Sequence, residues 1–329
     1  MLKQLVNEAR FAVTITTKGP LLIKSGYPTL TGPDMTPVLT LRYGEPQVYI
    51  PGSSLKGVFR SHVEKVIRTI RDGEIVVADP FKKDGAEQSC SYWFQERKKK
   101  EDNHLDNATI YRESDPIARL FGSTFFIGRV SIGDAYLVDP ATDTYLARDA
   151  PSAQRLPTEA RDGVGIDRLT GGSSPGALFN LEAVSTGIRF QAEVLLRNFE
   201  CWQLGALLLV TQDMEDELVR IGSGKSRGLG AVQGTVDQVV IHHLGRTPGR
   251  DDTTIWGLGR FLGPDSVYGT WADDTLTPES APKVHTSGIR SVQTFTAESL
   301  KGLKQQLVSE FVQRMESYPV YKSQHRRVS

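Results

Sequence analysis

The sequence predicts an α+β fold built on the order strand, helix, strand, strand, helix, strand. Three observations carry that expectation. Apolar and polar residues alternate over residues 10–18, the period of a half-buried strand. Two apolar stretches, within 55–70 and 202–214, recur at helical spacing. Strand-like runs over 128–138, 190–196 and 231–241 are distributed around them.

In the first strand Phe11, Val13 and Ile15 share one face. Residues 19–46 carry Gly, Pro and Asp throughout and read as a long loop with short extended pieces. Val48, Tyr49 and Ile50 form a brief strand. Ser53 or Ser54 is the expected N-cap of the first long helix, in which Leu55, Val58, Phe59, Val63, Val66, Ile67 and Ile70 recur at helical spacing. That helix ends near Asp72 and Gly73.

Residues 78–114 are polar and irregular and read as an insertion. Asp115 and Pro116 start a short helix through Phe121, with Pro in its first turn and Gly122 after its end. Gly128 to Val138 reads as one strand. Residues 148–177, again polar and rich in Gly and Pro, read as a second insertion shaped as a hairpin. Phe190 to Leu196 is a strand, Trp202 to Met214 an apolar helix, and Ala231 to Ile241 the last strand of the unit.

This order is close to a ferredoxin-like unit carrying long insertions. The domain plan is therefore residues 1–244, with insertions at about 73–114 and 148–182, and a C-terminal extension, 245–329. The extension carries Trp256 and Trp271 and closes with an amphipathic helix (Leu300, Leu303, Leu307, Phe311, Met315) and a basic tail, His325, Arg326 and Arg327.

The chain has 329 residues, 39% of them hydrophobic and 24% charged, the composition of an ordinary globular protein. Its 39 basic and 39 acidic residues balance, which argues against a free-standing basic nucleic-acid binder but leaves room for a local basic groove. Cys90 and Cys201 have neither CxxC spacing nor histidines at zinc-finger distance, so a zinc site is not expected. No apolar run reaches the length of a membrane span and no leader pattern opens the chain. The cytoplasm is the default location.

Two glycine-rich stretches point to chemistry. One runs Ile50, Pro51, Gly52, Ser53, Ser54, Leu55, Lys56, Gly57 and on to Arg60. The other runs from Gly222 to Gly230 and carries Lys225, Ser226 and Arg227. Glycine lets backbone donors approach phosphate, and Lys or Arg supplies the opposite charge, so the pair suggests RNA. Lys56 and Arg60 lie on one helix face near an N-terminus, where cations gain nothing from the helix dipole and an external anion would.

The run Gly224, Lys225, Ser226 ends like a Walker A loop, but Val219 stands where that motif needs its first glycine. A helix precedes the loop and a strand follows it, the reverse of what a P-loop or a nucleophile elbow requires.

Asp34, between Gly32 and Pro37, is either a turn aspartate or a general base that positions or activates a 2′-hydroxyl of RNA for attack on the adjacent phosphate. Arg161 and Arg168 lie in the second insertion beside Val164, Ile166 and Leu169. They are either a solvated loop or a wedge for an RNA duplex. Arg97 to Lys100 is balanced by Glu96, Glu101 and Asp102 and reads as solvated surface.

Four segments in order, Ile50 to Arg60, Asp115 to Gly122, Gly165 to Gly172 with Ala177 to Glu182, and Gly222 to Gly230, resemble the RAMP superfamily of CRISPR effector proteins, and in particular the backbone subunits of type III complexes. The resemblance covers about residues 8–242. It implies an RRM-like palm with thumb and finger insertions, and copies of the subunit stacked along a guide RNA.

By the same resemblance Ser53, Ser54, Lys56 and Arg60 grip the guide backbone, with Lys225, Ser226 and Arg227 nearby. The second insertion, with Arg161 and Arg168, is the thumb that interrupts the guide–target duplex. A loop aspartate then cuts the target RNA at each interruption. The family position, counted back from Pro37 and Val38, falls on Met35, with Asp34 one residue earlier.

Three roles stay open: a guide-binding subunit that also cleaves target RNA, a non-cleaving scaffold, and a guide-processing endoribonuclease using His62. Participation of a divalent cation in cleavage stays open too. The implied partners are guide RNA, target RNA, other effector subunits and copies of the chain or its paralogues, with no membrane.

Overall fold

The computed structural model describes residues 3–26, 32–101, 105–245 and 250–320. The tail with His325, Arg326 and Arg327 lies outside them, as do His104 and Asp102 at the end of the charged run.

The expected alternation gives β1 (Asn7–Thr17), with Phe11, Val13 and Ile15 buried on one face. The stretch expected to be loop contains a hairpin, β2 (Leu39–Arg42) and β3 (Glu45–Val48). α1 (Gly52–Ile70) buries Leu55, Phe59, Val63 and Ile67.

The serine cap expected for α1 is corrected by the structure. Pro51 is the N-cap, Gly52 is already helical, and no side chain caps the helix. The reason is local packing. Gly52 sits against the backbone of Ile132 and Gly133, where any Cβ would collide, and its N–H is taken by a carboxylate from that same segment.

The first insertion is not irregular. It forms α2 (Cys90–Glu101) and α3 (Asn107–Glu113), which pack with α4 (Pro116–Phe121) around buried Ala78, Cys90, Phe94, Ile110 and Ala118. α4 begins where expected, with Asp115 accepting the Ala118 N–H at 2.6 Å. A two-residue pair, β4 (Gly122–Ser123) and β5 (Phe126–Ile127), follows it.

The single strand expected over 128–138 is two, β6 (Val130–Ile132) and β7 (Tyr136–Asp139), broken at Gly133, Asp134 and Ala135. β8 (Thr144–Tyr145) pairs with β7, and a short helix, α5 (Ser152–Arg155), precedes the second insertion. That insertion is a long antiparallel hairpin, β9 (Thr158–Ile166) and β10 (Ser173–Val184), forming a sheet of its own.

β11 (Arg189–Arg197) leads into α6 (Cys201–Glu215). The last strand also divides, into β12 (Val232–Thr235) and β13 (Gln238–Leu244), because the two pieces pair with different parts of β1. β12 meets Thr14–Thr17 and β13 meets Asn7–Phe11.

The C-terminal segment adds β14 (Ile255–Trp256), α7 (Leu258–Leu262) and β15 (Thr275–Leu276), then the hairpin β16 (Lys283–Ser287) and β17 (Arg290–Thr296), and finally α8 (Ala297–Glu316). β17 pairs with β13 along its length.

Among the described residues the main sheet has nine strands in the order β16-β17-β13-β1-β11-β7-β8, with β12 also on β1 and β6 also on β11. It is a mixed α+β fold. One apolar core joins the inner face of this sheet to α1, α6 and α8. α8 buries the expected stripe, Leu300, Leu303, Leu307, Phe311 and Met315. Among the described residues no helix is long and apolar enough to cross a membrane.

Candidate nucleic-acid interface

The sequence-marked residues gather in two places. The first is the base of the β9–β10 hairpin. There the chain after β1 forms isolated bridges to β10, Leu21 with Val184 and Met35 with Leu181, and the Glu182 N–H donates to the Met35 carbonyl at 2.8 Å. Leu22, Leu181, Ala183 and Leu229 form a buried apolar cluster, with Met35 and Phe179 packed against it. One cluster therefore seats three pieces of chain: the loop with Asp34, the hairpin and the second glycine stretch.

Within it, neighbours 34 and 35 have opposite fates. Met35 packs against the cluster, while Asp34 is exposed and its Oδ2 accepts the Asn180 N–H at 2.9 Å. The glycine stretch is clamped by backbone. The Ser223 N–H donates to the Leu22 carbonyl and the Gly230 N–H to the Pro20 carbonyl, both at 2.8 Å. Gly222 and Gly230 hold φ of 81° and 79°, and a Cβ on either would strike a carbonyl oxygen.

The clamp leaves Lys225, Ser226 and Arg227 exposed on a single 3₁₀ turn. Lys225 forms no ion pair among the described residues, and the Arg227 guanidinium lies over the Phe179 ring at 5.5 Å.

The hairpin tip carries Leu169, 97% exposed, with Val164, Ile166 and Leu178 also exposed. Arg168 is exposed, and Arg161 pairs with Glu159 at 2.7 Å. The hairpin thus shows water several apolar side chains beside arginines, the composition of an interaction surface.

The second place is the N-terminus of α1. Asp134 Oδ1 accepts the Gly52 N–H at 2.7 Å, so the first backbone donor of the helix is already engaged. Ser53 is exposed and Ser54 half-buried. Lys56 is half-buried without an ion-pair partner among the described residues. Burial first, and the Arg60 charge second, hold its ammonium below the usual lysine pKa. Arg60 is partly neutralised by Glu64 at 2.9 Å.

Lys56 borders two cavities. One, of about 530 Å³, also has Arg60, Ser89, Ser91 and Ser123 in its wall. The other, of about 710 Å³, has Lys3, Ser53, Arg129 and Arg197. Among the described residues no hydrogen bond or ion pair joins this place to the hairpin base. His62 stands apart from both, its Nε2 2.5 Å from Asp213 Oδ2 between α1 and α6.

Asp134 is not singled out by the sequence, and Phe179 and Asn180 are marked there only as part of the segment Ala177 to Glu182, because their contacts come from a strand break and from strand pairing. Among the described residues no group of three His, Cys, Asp or Glu side chains could hold a metal ion.

The family model of the RAMP superfamily matches residues 14–233, about two thirds of the chain. The chain belongs to the RAMP superfamily. At that level it is a CRISPR-associated RNA-binding subunit. The matched part of this RAMP protein takes in Asp34, both glycine stretches and the whole β9–β10 hairpin, and it stops within β12. No curated protein matches the chain.

Proposed function

We propose that this RAMP protein is a guide-RNA-binding backbone subunit of a type III-like CRISPR effector complex, and that it cuts the bound target RNA at regular intervals with Asp34. One observation carries the reading: a single apolar cluster seats the Asp34 loop, the exposed hairpin and the cationic glycine turn together.

In this reading β13, β1, β11 and β6 with α1 and α6 are the ferredoxin-like, RRM-like palm. Residues 73–114 are the finger, the β9–β10 hairpin is the thumb, and the segment after 245 is a C-terminal extension. The partners are guide RNA, target RNA, other effector subunits and copies of the chain or its paralogues, in the cytoplasm.

Ser53, Ser54, Lys56 and Arg60 hold guide phosphates, as do Lys225, Ser226 and Arg227. These contacts position RNA without reading its bases. Val164, Ile166, Leu169 and Leu178, flanked by Arg161 and Arg168, wedge apart one step of the guide–target duplex.

The target nucleotide freed by the wedge presents its 2′-hydroxyl to Asp34. The carboxylate takes the hydroxyl proton, the 2′-oxygen bonds to the adjacent phosphorus, and the 5′-oxygen leaves and is protonated by water. The products are a 2′,3′-cyclic phosphate and a 5′-hydroxyl. Asp34 suits this role because its Oδ2 is fixed by the Asn180 N–H while the group stays open to solvent.

The test is target cleavage by the reconstituted complex, wild type against Asp34→Ala, with and without Mg²⁺. Regularly spaced cuts lost in the variant, with both RNAs still bound, support the assignment. Cuts that persist in the variant remove Asp34 from the chemistry. A wild type that binds both RNAs and cuts neither is a scaffold.

A further inference from the structure

A third cluster lies outside both places described above, where the β2–β3 hairpin meets β7 and β8. The Arg42 guanidinium lies over three rings, Tyr136 at 4.4 Å, Tyr145 at 4.7 Å and Tyr43 at 5.4 Å. Tyr49 stacks on Tyr136 with centroids 6.3 Å apart and planes 19° from parallel. Arg42 forms no ion pair among the described residues, and its Nη1, shielded from water, has no hydrogen-bond partner. Nη1 is enclosed, but Arg42 as a whole is only half-buried, so its other guanidinium donors, which no carboxylate among the described residues engages, are the ones open to an external anion.

Tyr43 adds a second observation. It occupies the first position of the two-residue turn between β2 and β3, with φ of 58°, and Gly44 follows at 88°. Such turns ordinarily take Asn or Gly there, and a bulky residue at positive φ is strained. Within the chain the ring is met by the Arg42 guanidinium, and Tyr43 still stays 53% exposed.

The cluster is continuous with the N-terminus of α1. The Tyr136 hydroxyl donates to Asp134 Oδ2 at 3.3 Å, and the other oxygen of that carboxylate holds the Gly52 N–H.

We propose that Arg42, with Tyr43, Tyr49, Tyr136 and Tyr145, is a stacking site for one unpaired nucleotide of a single-stranded RNA. The base stacks on the open face of Tyr43 and the phosphate pairs with Arg42. The site rests on the RNA-binding reading above and extends the contact surface from Ser53 and Lys56 onto the tip of the β2–β3 hairpin. Aromatic rings suit RNA there because every base has a π-face, so stacking tolerates any sequence.

The test uses the full chain and a labelled single-stranded oligoribonucleotide of mixed sequence. Tyr43→Gly is the informative variant, because glycine accepts the turn's φ without strain and the fold is kept while the ring is lost. Binding should weaken roughly tenfold in Tyr43→Gly and return in Tyr43→Trp, with ultraviolet crosslinks of the wild type mapping to Tyr43.

Wild-type affinity in Tyr43→Gly, alongside a loss in Lys225→Ala/Arg227→Ala, would overturn this site and leave the RNA-binding reading standing. Unchanged RNA affinity with altered self-association in sedimentation would make the tip a protein contact and overturn the site as well. No RNA binding by the wild type would overturn both.

Discussion

Asp134 Oδ1 accepts the N–H of Gly52 at 2.7 Å, 82 residues away in sequence. A carboxylate from a strand break thus sits on the positive end of a 19-residue helix that lacks a side-chain cap of its own. Asp134→Ala should cost about 1–2 kcal/mol, the loss of one charge-assisted hydrogen bond and a favourable dipole contact. Chemical denaturation measures it. An unchanged midpoint would mean that water or Ser53 replaces the carboxylate at no cost.

α8 shares the core of the main sheet. Leu307, fully buried between α8 and α6, is the sharpest probe of that union. Leu307→Ala should destabilise by roughly 2–5 kcal/mol, as large-to-small core changes do. The loss should appear in a single unfolding transition read both by circular dichroism and by tryptophan fluorescence. A separate early transition confined to the C-terminal segment would contradict a shared core.

Residues 255–276 are pinned by two buried titratable groups of opposite sense. Asp274 accepts the N–H groups of Cys201 and Gly259, both at 2.9 Å. Burial first, and the Glu200 charge second, push its pKa up to about 7. Between its ordinary 3.8 and about 7 the folded state keeps a proton that the unfolded chain has lost, so this group's contribution to stability falls as pH rises through that window.

His243 Nε2 accepts the Trp256 N–H at 3.1 Å, and burial, then the Arg250 charge, lowers its pKa to about 3. Between about 3 and its ordinary 6.5 the unfolded chain binds a proton that the folded state refuses, so this contribution rises with pH. Relative to wild type, Asp274→Asn should therefore gain stability as pH climbs from 4 to 7, and His243→Gln should lose it. Denaturant midpoints across that range decide, and variant curves that run parallel to wild type would contradict both assignments.

Much of the main sheet and of the helices on it is legible in the sequence because its burial follows a period. Phe11, Val13 and Ile15 in β1, and Leu55, Phe59, Val63 and Ile67 in α1, repeat as their elements require. β16 gives no such signal, since all five of its residues are exposed and its place is fixed only by pairing with β17. α2 is hidden by its cationic run, which masks its few apolar residues, Cys90, Trp93 and Phe94, that pack with Ile110 and Ala118.

The candidate site divides the same way. The glycines and cations of 222–230 are visible as residue types. The seating of Met35 on Leu181, which leaves Asp34 outward, is a matter of strand register between segments about 146 residues apart. Single-residue register between distant segments has no local signature.

The most direct test of RNA recognition is the salt dependence of guide-RNA binding by the purified chain, wild type against Lys225→Ala/Arg227→Ala. If these exposed cations neutralise phosphates, affinity falls as salt rises. The double variant should then bind more weakly at low salt, with a logarithmic salt slope shallower by about 1.4. A slope unchanged by the two substitutions, or no guide RNA bound by the wild type, would contradict the account.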